Sequence, residues 1–134
     1  MLNSANCRSN CPINFVLETF GDKWTLLIVR DLMFKGKNRY SEFLESAEGI
    51  STNILADRLQ RLEEHGIIFK EAAEDKRSAI YRMTDKGKDL LPIMLEITAW
   101  SAKHDSRTNT PGNFVRMYRK DRQQLTAGIL SKLR

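Results

Sequence analysis

The stretch from Ser51 to His65 constrains the fold more than any other part of the chain. Ser51 can cap a helix, Leu55, Leu59 and Leu62 recur on one helical stripe, and Gly66 supplies the stop. Directly afterwards the residue types change. Ile67, Ile68 and Phe69 suit a strand, as do Ala79 to Met83, and the charged run Glu71 to Ser78 between them predicts a hairpin tip. A capped helix that runs without a spacer into a hairpin leaves few folds open.

The flanks narrow the choice. Tyr40 to Ser46 predicts a short helix with Phe43 and Leu44 inward, followed by a turn at Ala47 to Ile50 that bends at Gly49. Upstream, Pro12 suits a first helical turn, and Ile13, Val16, Leu17 and Phe20 follow at helical spacing to Gly21. Asp22 can cap a second helix carrying Trp24, Leu27, Ile28, Leu32 and Met33 until Lys35 and Gly36. Downstream, Thr84 can cap a long helix through Leu90, Leu91, Met94, Leu95, Ile97 and Trp100, bent at Pro92 and ending near His104. The expected organisation is a flexible N-terminal segment (1–10), one domain with its dimerisation helix (11–104), a linker (105–113) and a basic amphipathic helix (114–134).

Short helix, glycine turn, capped helix and hairpin, in that order, specify a winged helix-turn-helix, mainly α with a small β-hairpin wing, whose capped helix enters the DNA major groove. A helical wheel turns Asn53, Ala56, Asp57, Gln60, Arg61 and Glu64 outward. Ser51, Thr52 and Asn53 lie at its N-terminal end, and Asn53 and Gln60 are the residue types that pair bidentately with adenine. Lys76 and Arg77 at the hairpin tip, and Arg39 before the short helix, suit phosphate contacts, which give affinity and little sequence choice. Each is equally readable as a solvated surface charge, and Asp57 and Glu64 oppose a strong DNA face. The expected site is therefore Arg39, Ser51, Thr52, Asn53, Ala56, Gln60, Arg61, Lys76 and Arg77, with double-stranded DNA as partner.

Charge agrees. The net charge is +5, and residues 1–112 balance 16 basic against 16 acidic side chains, so the surplus lies in 113–134, with 6 basic and 1 acidic. No apolar run approaches the roughly 20 residues that cross a bilayer, so a soluble, cytoplasmic protein is expected. The sequence holds no Gly-rich phosphate loop, HExxH or nucleophile elbow, so no catalytic residue and no cofactor is expected. The competing class is a winged helix used as a protein-interaction module without specific DNA reading.

Cys11-Pro12-Ile13, Gly21-Asp22-Lys23-Trp24-Thr25, Arg39-Tyr40-Ser41-Glu42, Gly49-Ile50-Ser51, Leu59-Gln60-Arg61-Leu62-Glu63, Gly66-Ile67-Ile68 and Tyr81-Arg82-Met83-Thr84-Asp85-Lys86-Gly87 occur in one order. Together they resemble the HxlR-type winged helix-turn-helix regulators, relatives of the MarR group, over about Cys11 to His104. The resemblance implies a homodimeric bacterial transcription factor that dimerises through the first helix and the long helix after the wing. The chain departs from it at Ser78-Ala79, where the family commonly carries proline, and past Pro111. A dimer also follows from the apolar surface of Leu90 to Trp100, and two-fold symmetry implies a pseudo-palindromic operator.

Cys11 stands at a helix N-terminus with Arg8 nearby, both of which favour the thiolate. The resemblance implies an oxidant or electrophile sensor there, with a small-molecule or oxidant effector. Cys7 could resolve oxidised Cys11, or Cys11 could pair across the dimer. The alternative is a reduced packing thiol. Cys7 and Cys11 with His65 and His104 make a poor metal site, and no metal is expected.

Overall fold

Pro12 opens α1 (Pro12–Phe20) in the computed structural model, which describes residues 7–71 and 79–133. α2 (Thr25–Phe34) begins where the Asp22 carboxylate accepts from the amides of Trp24, at 2.7 Å, and Thr25, at 2.9 Å. At the start of α3 (Tyr40–Leu44), Glu42 reaches back to the Arg39 amide at 3.0 Å. Gly49, at φ 73°, then makes the tight bend that delivers the chain into α4 (Thr52–Glu64). There Ser51 Oγ accepts from the Ile54 amide at 3.3 Å, and Leu55, Leu59 and Leu62 are buried on one stripe, as their spacing requires.

β1 (Ile68–Glu71) and β2 (Ile80–Met83) form an antiparallel pair with Ile68 opposite Met83 and Lys70 opposite Tyr81. Thr84 closes this unit. Its hydroxyl donates to the Gly66 carbonyl at 2.5 Å and accepts from the Gly87 amide at 3.0 Å, starting α5 (Asp85–Lys88). Gly87 is a contact position, since a Cβ there would lie 2.2 Å from the Ile67 carbonyl oxygen and 2.9 Å from Met83 Cε. The core gathers Val29, Phe43, Leu55, Leu59, Leu62 and Ile68. One carboxylate, Asp31, is buried beside it at 2% exposure, and is satisfied by Arg30 at 2.9 Å and by the Ser46 hydroxyl at 2.5 Å. This is the mainly helical, two-stranded winged arrangement expected from the sequence.

The chain divides between Gly87 and Lys88 into two compact units. The second holds α6 (Leu91–His104), α7 (Gly112–Lys120) and α8 (Arg122–Lys132). Glu96 of α6 joins all three, accepting from the Tyr118 hydroxyl and pairing with Arg122 at 2.8 Å. The Arg122 guanidinium lies 4.4 Å from the centre of the Tyr118 ring.

Two expectations are corrected. The helix predicted from Thr84 to His104 is two helices, because Pro92 takes the first turn of a new one instead of bending a continuous one. The basic helix expected over 114–134 is also two, interrupted at Asp121, whose carboxylate caps α8 through the Gln124 amide at 3.0 Å; the linker before α7 is 105–111. α1 turns Ile13, Phe15 and Leu17 outward, between 48 and 72% exposed, and buries Phe20 of the apolar set together with Asn14 and Thr19.

Candidate nucleic-acid interface

α4 has one side fixed by its leucines, and the opposite side carries Thr52, Asn53, Ala56, Asp57 and Gln60, all exposed, with the exposed cap Ser51 ahead of them. Five of the predicted site residues thus share one outer face. Among the described residues, the Asn53 side chain makes no hydrogen bond within the chain, whereas Gln60 donates to Glu64 at 3.1 Å. Asp57, which by charge should repel DNA, lies against the Arg58 guanidinium.

Arg61 departs from this face. Half-buried, it turns towards the corner between α1 and α2, 3.8 Å from Asp22, and donates to the Glu18 carbonyl at 3.5 Å. Arg58 also lies beside Asp22, at 3.4 Å, with its Nε shielded from solvent and without a hydrogen-bond partner. Burial alone would raise the Asp22 pKa. The Thr25 hydroxyl, the Trp24 and Thr25 amides and the Arg58 charge outweigh it and hold the carboxyl below its ordinary value. The outward position given to Arg61 by the helical wheel fails because a long side chain can sweep back over its helix to a buried acceptor.

Arg39 is half-buried at the start of α3. Lys76 and Arg77 lie outside the described residues. Tyr40, which sequence reasoning passed over, anchors the entry to α4 by donating its hydroxyl to the Thr52 carbonyl at 2.9 Å. Tyr81 ties the hairpin down through its amide to the Asn38 carbonyl at 2.8 Å, and its ring packs edge-on against Phe43. At the other end of α4, Lys86 donates to the His65 carbonyl at 2.8 Å, where a helix C-terminus favours a cation. Burial, with Arg61 and Lys86 nearby, keeps His65 below its ordinary pKa.

Cys11 is the exposed N-cap of α1. Its thiol pKa lies below the ordinary value because the Asn14 and Ile13 amides at the open helix end stabilise the thiolate. Arg8 contributes differently from expectation. It pairs with Glu18 at 3.0 Å and donates to Asn14 at 2.6 Å, so its charge is spent within the N-terminal turn. Cys7 is half-buried. Among the described residues no group of three or more His, Cys, Asp or Glu could hold a metal ion, and no helix is long and apolar enough to cross a membrane.

Comparison with known proteins agrees with this geometry. Residues 19–109 match the HxlR-like helix-turn-helix family model. The HTH-type transcriptional regulator sll1512 of Synechocystis is 35% identical over 86 residues, 63% of either chain, and the regulator YodB of Bacillus subtilis is 33% identical over 68% of this chain and 82% of its own. Among solved structures, the redox regulator HypR in its oxidised form superposes with a TM-score of 0.61 at 31% identity, covering 69% of this chain and 96% of its own. Reduced YodB gives 0.59 at 27% identity over 75% of this chain and 100% of its own, and YodB has also been solved with quinone bound.

Proposed function

We propose, on the premise that this chain belongs to the HxlR-like helix-turn-helix family, that it is a homodimeric transcriptional regulator whose α4 reads duplex DNA. The observation that carries the reading is the outer face of α4. It is exposed and polar, and it is anchored at its entry by Tyr40 and at its exit by Lys86. Asn53 and Gln60 present amide edges for bases, and Ser51, Thr52 and Ala56 complete the surface. Arg39, Lys76 and Arg77 supply phosphate contacts, and Arg61 positions α4 against Asp22.

A second copy is the partner that the exposed apolar residues call for, Ile13, Phe15 and Leu17 on α1 and Ile93, Ile97 and Trp100 on α6. A symmetric pair reads a pseudo-palindromic operator with half-sites about 10 base pairs apart or a multiple of that. The regulator works in the cytoplasm, where it needs no catalytic group.

Cys11 is the input. Its exposure and stabilised thiolate suit reaction with an oxidant or electrophile, and two structural neighbours are a redox regulator and a regulator solved with quinone bound. Oxidation converts the thiol to a sulfenic acid, which a second thiol, Cys7 or Cys11 of the other copy, displaces as water to form a disulfide. α1 carries this change towards α4 through Arg61, which donates to the carbonyl of Glu18.

Footprinting upstream of the chain's own gene, followed by titration of that fragment over a salt series, tests the DNA reading. A regulator gives a protected palindrome and an affinity that falls linearly, log against log, with salt. A chain that protects nothing and binds duplex independently of salt is a protein-interaction module instead.

A further inference from the structure

We propose that the cavity between α6 and α7 is a binding site for an amphipathic organic monoanion, an apolar ring or short chain bearing one carboxylate. The cavity measures about 300 Å³ and is lined by Ala99, Ala102 and Lys103 of α6 and by Val115, Tyr118 and Arg119 of α7. Ala99 and Ala102 create the space, since each stops at Cβ where a larger residue would fill the gap between the helices. The volume sits at the lower edge of the roughly 300–1,000 Å³ usual for small-molecule sites, enough for a two-ring acid.

The charge of the ligand follows from what surrounds the apolar walls. Lys103 and Arg119 are exposed and, among the described residues, neither has an ion-pair or hydrogen-bond partner. α6 carries a single acidic residue, Glu96, and α7 carries none. Glu96 is already engaged by the Tyr118 hydroxyl and by Arg122, so it neutralises neither cation at the cavity. An anion is therefore favoured over a neutral ligand. The planar guanidinium of Arg119 can hold a carboxylate by two parallel hydrogen bonds, with Lys103 as a second point charge. The apolar body of the ligand is expelled from water against Val115, the two alanines and the Tyr118 ring. Val115, Tyr118 and Arg119 lie beyond residue 109, where the family match ends, and Ala99, Ala102 and Lys103 lie within it, so only the α7 wall of the site falls outside the match.

The test is calorimetric titration of the full chain, without DNA, using 2-naphthoate. One naphthoate per chain is expected. The neutral analogue 2-naphthamide should bind at least tenfold more weakly, and Lys103→Gln combined with Arg119→Gln should weaken naphthoate at least tenfold while leaving the melting temperature in place. Ala102→Leu, which fills the cavity, should weaken acid and amide alike. The proposal is overturned if millimolar naphthoate gives no heat, if the amide binds as well as the acid, or if the double glutamine variant keeps full affinity. It is equally overturned if raising the protein concentration or adding duplex DNA expels the naphthoate, because a second copy or a phosphate backbone would then own the cavity. No arm before the DNA addition involves DNA, so failure here leaves the reading of α4 standing.

Discussion

Asp22→Ala is expected to destabilise the winged unit by about 1–2 kcal/mol, more than a partly exposed carboxylate normally would. Two losses combine. The first is a helix cap, because the carboxylate accepts from the Trp24 and Thr25 amides and from the Thr25 hydroxyl, at 2.5 Å, and removing such a cap costs about 1 kcal/mol. The second is the ion pair with Arg58, whose Nε lies 3.4 Å from the carboxylate; a partly exposed pair of this kind contributes about 0.2–1 kcal/mol. Asp22→Asn keeps an acceptor for the amides and loses the charge, so about half the effect should remain. Urea unfolding followed by circular dichroism measures both, and a double-mutant cycle with Arg58→Ala should give a coupling of about 1 kcal/mol. Acid supplies an independent reading. The folded-state pKa of Asp22 is depressed, so its contribution is present above the unfolded value of about 4 and is lost as pH falls through the folded value. A cost below about 0.5 kcal/mol for Asp22→Ala would refute the argument, as would additivity with Arg58→Ala within about 0.3 kcal/mol.

Asn53→Ala and Gln60→Ala should each relax sequence choice by about 1–3 kcal/mol in competition binding against mismatched operators, whereas Lys76→Ala and Arg77→Ala should weaken specific and random duplex alike and flatten the salt slope. Cys11→Ser should bind operator like the reduced parent and stay bound under diamide or quinone, and alkylation of the parent should continue below the ordinary thiol pKa of about 8.5, which mass spectrometry over a pH series checks. Arg30 hydrogen-bonds Glu48 at 2.6 and 2.9 Å and, with burial opposing, lowers its pKa to about 2. That depressed value places its stabilisation above the unfolded pKa of about 4.3 and its loss between there and about pH 2, so Glu48→Gln should flatten the fall of the urea midpoint across this window.

What the sequence disclosed and what it withheld divide by the reach of the signal. The α4 leucines, the Ser51 cap and the hairpin residues were legible because caps and periodicity act within a few residues, and the structure places them as expected. The direction of the α1 stripe was not legible. Periodicity states that Ile13 and Leu17 share a side, and it is silent on whether that side meets the chain's own core or another surface. The inward turn of Arg58 and Arg61 was hidden for a related reason, since Asp22 lies 36 and 39 positions away and looked like a local cap alone. The breaks at Leu90 and Asp121 show punctuation that was visible and underweighted: proline favours a first turn, and aspartate an N-cap. The hairpin tip with Lys76 and Arg77 lies outside the described residues.

Gly87 has a consequence for anyone who mutates this protein at random. The obstacle to a side chain there is the Ile67 carbonyl oxygen, 2.2 Å from where the first carbon would sit, and a backbone atom cannot rotate aside as the Met83 methyl could. Size therefore stops mattering, and alanine is as intolerable as leucine. In a saturation library, position 87 should behave as a step, glycine or nothing. Gly112 and Gly128, where an added carbon would meet nothing within 4 Å besides its chain neighbours and its own helix backbone, should accept small residues freely and show a graded response instead.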